Sequence, residues 1–178
     1  AVLDRRDATD AMRARALQFL GDTRLRADAT PINAEARSAL DLLDEHPQQA
    51  ARADTAADLY RRALALHLDE DTARQLHARL LAIEDPTLGR ALARYLVGDG
   101  PARDTALDVL RAHELIDAAP DQGLGHYLYG RMLYNRERFA GAEKSLGEAT
   151  FLGLPPGGFA VAALRLQGLA ALRARLSP

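Results

Sequence analysis

The sequence predicts an all-α protein, an antiparallel array of about nine short helices arranged as hairpins. Three observations predict it. The chain is 48% apolar, mostly through Ala and Leu, whereas the β-branched and aromatic residues that favour strands are sparse. Apolar residues recur at three and four positions over much of the chain. Pro, Gly, Asp and Thr punctuate that periodicity, marking the ends of successive helices.

In order along the chain, the first helix is expected over 5–20, closed by Gly21 and followed by a polar loop, DTRLRADAT. Thr30 and Pro31 then supply a cap and a first-turn proline, and a second helix runs to Glu45 with Ala36, Ala39, Leu40 and Leu43 as its stripe. His46-Pro47-Gln48-Gln49 opens a third over 48–67. Asp69-Glu70-Asp71 caps a fourth over 71–84; the run lacks the central Gly and terminal Glu of a calcium loop. Asp85-Pro86 starts a fifth helix, which Gly98-Asp99-Gly100-Pro101 stops. Pro101 begins the sixth, and Ala119-Pro120-Asp121 separates it from the seventh. Connections this short make neighbouring helices antiparallel. The expected divisions are irregular helices over 1–45, a degenerate repeat over 86–120, the clearest repeat over 122–155 and a last helix over 157–176, all within one domain.

Composition also excludes function classes. There is no Cys, hence no thiol nucleophile, Cys-ligated zinc or disulfide. A net charge of −2 leaves no basic field for nucleic acid over the chain as a whole. No apolar run reaches the 18 or so residues of a membrane span. Lys144 is the sole lysine among 23 basic residues, a preference for Arg expected from the coding bias of a high-GC bacterium, with the cytoplasm or periplasm as the compartment. The arginines read as solvated surface. A start without Met, Ala1-Val2-Leu3-Asp4, is expected both of a chain trimmed by a signal peptidase and of a domain of a longer protein.

Catalytic and metal-binding readings find little support. The five histidines lack metal-ligand spacing; His67 and His77, with Asp69 and Asp71 between them, are the nearest to a cluster, and capping explains them more simply. Ser38, Ser145 and Ser177 have no His partner in sequence, and carboxylates such as Asp58 alternate with arginines in the manner of a solvated face. No catalytic residue, metal or cofactor is assigned.

One segment carries more information. His126-x2-Tyr129-Gly130-x2-Leu133, then Ala142-x3-Leu146, then Pro155 resembles the tetratricopeptide repeat. Gly130, Ala142 and Ala149 fall at the family's small positions and Phe139 at its turn aromatic. His126 replaces the family's Trp, Tyr and Leu are exchanged at 129 and 133, and the proline comes one residue late. Weaker echoes occur at Phe159-x2-Ala162-Ala163-x2-Leu166 and at Leu88-Gly89-x2-Leu92. The resemblance implies an α-solenoid in which stacked helix pairs build the core, and a non-catalytic scaffold or adaptor that binds a peptide or helix of another protein.

On the helix at 122–135, His126, Tyr129, Gly130 and Leu133 match the family's packing positions. Tyr127, Arg131, Tyr134 and Asn135 match its groove positions, where two tyrosines flanking an arginine can clamp a peptide; packing against a neighbouring helix pair is the competing reading. The last helix, Phe159 to Leu176, is apolar on nearly every side, so Val161, Leu164, Leu169 and Leu172 are expected to cover an intermolecular contact, with a second copy or with the rest of a parent protein. Two further functions stay open: a regulatory or substrate-recruiting domain of a larger bacterial enzyme or envelope or secretion assembly, and a self-associating structural protein.

Overall fold

A computed structural model of the protein describes residues 9–29, 55–97 and 105–176. These residues hold eight helices and no strand: α1 Asp10–Ala29, α2 Ala56–Leu64, α3 Glu70–Glu84, α4 Gly89–Val97, α5 Thr105–Ala118, α6 Gly123–Asn135, α7 Phe139–Leu152 and α8 Phe159–Leu176. The expected helix over 31–45 lies outside the described residues, as do the expected openings at 47–49 and 98–101.

Helix starts are set by side-chain caps where the sequence supplies them. Thr55 and Asp58 form a reciprocal capping box on α2, with Asp58 N–H donating to Thr55 Oγ1 (3.2 Å) and Thr55 N–H to Asp58 Oδ2 (3.0 Å). The described helix therefore begins at Ala56, and it ends at Leu64, three residues before the expected 67. Asp69 accepts from Thr72 N–H (2.9 Å) and caps α3, as read from the sequence. Asp85 takes the N–H groups of Thr87 and Leu88 (both 2.8 Å), so Pro86 to Leu88 form a turn and α4 begins only at Gly89.

These caps tie stability to pH. Hydrogen bonds from Thr55 hold the Asp58 carboxyl below the usual carboxylate range, and those from Thr72 do the same for Asp69. For Asp71, burial acts the other way but is outweighed by hydrogen bonds from Gln75 and Arg74. Lowered folded-state values stabilise above the unfolded-state value and lose their effect as pH falls through the folded one. The urea midpoint is accordingly expected to hold steady near neutral pH and to fall below about pH 4, with Asp58→Asn flattening part of that acid limb.

The first helix differs most from expectation. Rather than stopping at Gly21, α1 continues to Ala29, through residues read as a loop. Its buried stripe, Ala14, Leu17, Gly21 and Leu25, keeps helical spacing across the glycine. Gly21 is there for space: a Cβ at this position would overlap the ring of Tyr60. One residue on, Asp22 meets Arg79 of α3 through two hydrogen bonds (Nε–Oδ1 2.6 Å, Nη2–Oδ2 3.0 Å) and receives the Tyr60 hydroxyl (2.8 Å). Arg79 also donates to the Gln75 carbonyl (3.1 Å) and is only 7% exposed, which corrects the reading of the arginines as uniformly solvated. Burial, then the Asp22 charge, pushes the Tyr60 phenol upward. This network joins α1, α2 and α3.

Each helix packs on the next, and α1 also packs on α4 and α6 on α8. Arg26 near the end of α1 donates to the carbonyl of Val97 (3.0 Å) at the end of α4, a cation at a helix C-terminus. The core is continuous: Leu17, Tyr60, Leu76, Leu92, Leu115, Leu124, Leu146 and Phe159 belong to one cluster.

Candidate interaction surface

The pair α6–α7 crosses closely through its glycines. Gly123, opening α6, lies against the carbonyls of Ala149 and Gly153 at the end of α7 and donates its N–H to Gly153 (2.9 Å). At the other end Leu133 meets Gly141, so the two helices run antiparallel. Between them a Cβ on Gly130 would stand 2.7 Å from Leu146 Cγ, and Ala142, Leu146 and Ala149 are fully buried. Gly130→Leu or Ala142→Leu is expected to overpack this crossing and cost about 1–3 kcal/mol, read as a lowered melting temperature with helical circular dichroism retained below it.

The turn between these helices is built without glycine. Arg138 N–H bonds the carbonyl of Leu133 (2.9 Å) and Glu137 N–H that of Tyr134 (3.0 Å), the double bond of a Schellman cap. Glu137 takes the left-handed position with φ 60°. Beside it Tyr129, Leu133, Glu137, Arg138, Phe139 and Ala174 line a cleft of about 550 Å³.

The four groove residues inferred from the sequence do not form one surface. Tyr127 is 2% exposed, its ring edge-on to Phe159 with centroids 5.6 Å apart; it is a core residue. The physical reason is that α6 carries a third neighbour, α8, whose first residue fills the space a groove would occupy. Arg131 is half-buried, with Nη1 4.0 Å from Asp71 Oδ1 on α3. Tyr134 packs on Phe139 (5.5 Å, 68°), and Asn135 is exposed at the helix end. Tyr129, assigned to packing, is partly buried against the core, its ring 4.8 Å from that of His113, and it also borders the cleft. Helical spacing separates Tyr127 and Tyr129 onto different sides of α6, but it does not say that a neighbour, α8, covers the side that carries Tyr127.

The last helix places its four inferred residues in the open. Val161 is 69%, Leu164 60%, Leu169 41% and Leu172 55% exposed, joined by Leu176 at 70%. Its inner side is small: Ala163 and Ala170 are fully buried with Phe159, and Gln167 reaches Gly147 of α7. Small residues suffice there because α7 approaches closely, leaving the larger apolar side chains outside. No described helix is long and apolar enough to cross a membrane. His67 lies 3.3 Å from Asp10, and His77 lies near Gly157; no trio of His, Asp or Glu with metal-binding placement occurs among the described residues.

No protein-family model matches the chain, and neither the curated proteins nor the solved structures compared with it include a match.

Proposed function

We propose that the chain is a non-catalytic protein-interaction module of tetratricopeptide type, docking a helix or peptide of a partner protein. The helices α6 and α7 stand for its best repeat, α4 and α5 for a degenerate one, and α8 for the first helix of a further repeat. Sequential packing of every helix on the next and the crossing at Gly130 and Ala142 support that register. The observation that carries the interaction reading is the exposed apolar side of α8, since a large apolar patch on a folded surface marks a site of association. The groove on α6 does not carry it, because Tyr127 is buried.

Burying side chains such as Leu164 and Leu172 in a partner is worth about 1.5–3 kcal/mol each. Leu164→Glu with Leu172→Glu is therefore expected to abolish partner capture while leaving circular dichroism and the melting temperature unchanged. Equal recovery of the same partner by the variant and the parent chain would refute the reading.

A further inference from the structure

We infer that the α8 surface takes an acidic amphipathic helix, a proposal that rests on the interaction reading above. At about 100° per residue, Val161, Arg165, Gly168, Leu172 and Leu176 fall in one strip. Leu164 and Arg175 flank it on one side, Leu169 and Arg173 on the other, and all of these residues are exposed. Three arginines thus stand among five apolar side chains, while α8 contains no Asp or Glu. The chain as a whole is acidic, so the basic character is local to this face. Arg165 and Arg175 form no ion pair among the described residues.

The arrangement selects among occupants. A second copy brings three more arginines and no carboxylate, whichever way the two helices run. An anionic membrane would have to admit Arg165 in the middle of the apolar strip. A partner helix whose leucines meet Val161, Leu164, Leu169 and Leu172, with carboxylates opposite Arg165 and Arg175, satisfies both requirements. Nothing lies within 4 Å of where a Gly168 side chain would begin, so the strip has a low point at its centre that admits a partner side chain. From Val161 to Leu176 the strip runs about 22 Å at 1.5 Å per residue, matching a partner helix of about four turns.

The test uses two 16-residue synthetic amphipathic helices with the same leucines, one carrying glutamates and the other lysines on its polar face, read by fluorescence anisotropy. The glutamate peptide is expected to bind about 10-fold tighter at low salt, as two exposed charge pairs that attract one peptide and repel the other provide, with the margin shrinking at high salt. Arg165→Glu with Arg175→Glu is expected to reverse the preference, and Leu172→Glu to weaken both peptides. Equal affinity for the two peptides would overturn the acidic partner while leaving an interaction surface. Binding to phosphatidylglycerol vesicles in preference to the glutamate peptide, or a dimer on light scattering that the peptide does not displace, would also overturn it. If neither peptide binds and Leu172→Glu leaves partner capture intact, the interaction reading fails as well.

Discussion

Replacing Arg79 with Ala is expected to cost about 3–5 kcal/mol, a large part of the 5–15 kcal/mol that holds a typical domain together. The change leaves the Asp22 carboxylate in a partly buried site without the guanidinium that donates to both of its oxygens, and only the Tyr60 hydroxyl remains to it. Asp22→Ala strands the more deeply buried cation and is expected to approach the same loss. Tyr60→Phe removes only one hydrogen bond and keeps the ring under Gly21, for about 1 kcal/mol. Arg79→Lys should not rescue, because a single ammonium cannot reproduce both the paired contact with Asp22 and the bond to the Gln75 carbonyl. Urea denaturation measures all four. If Arg79→Ala unfolds at the parent midpoint, α1, α2 and α3 are not held by this network.

Gly123→Ala is expected to be the most damaging single-methyl change. The new Cβ would overlap the carbonyl oxygens of Ala149 and Gly153, and backbone atoms at a helix end cannot rotate aside as Leu146 can at Gly130. Relief requires α6 to shift along α7, which breaks the Gly123–Gly153 hydrogen bond and loosens the Tyr127–Phe159 contact below it. A loss of about 3 kcal/mol, at the upper end for overpacking, is expected. Gly168→Ala on α8 is the control, since its new methyl meets only solvent and a helix interior favours Ala over Gly by about 1 kcal/mol. Thermal melts of the two variants should therefore move in opposite directions.

Helix identity was legible from the sequence wherever a local rule decided it. The Asp69 cap, the break at Ala119-Pro120-Asp121 and the small residues Gly130, Ala142 and Ala149 are each determined by chemistry within a few positions, whereas Asp85-Pro86, read as a helix start, is followed by a turn that delays α4 to Gly89. Gly21 was misread because glycine has two uses, ending a helix or admitting a neighbour. The continuing stripe at Leu17 and Leu25 favours the second, but Tyr60, the reason for it, is 39 positions away. Arg79 likewise looks like any solvated arginine until Asp22 is brought beside it.

What the sequence by itself determined is the all-helical class, most helix boundaries after residue 69, the tight α6–α7 crossing, and an excess of apolar side chains on the last helix. Tertiary structure alone decided which sides of those helices face inward. It buried Tyr127 against Phe159, drew Asp22, Tyr60 and Arg79 together, and turned Ala163 and Ala170 rather than the leucines of α8 toward α7. The reason is that a helix apolar on several sides has several equally good faces to bury, and spacing along one helix does not say how closely its neighbour approaches. On α8 the close approach at Gly147 selects the alanines, and Val161, Leu164, Leu169 and Leu172 are left on the surface.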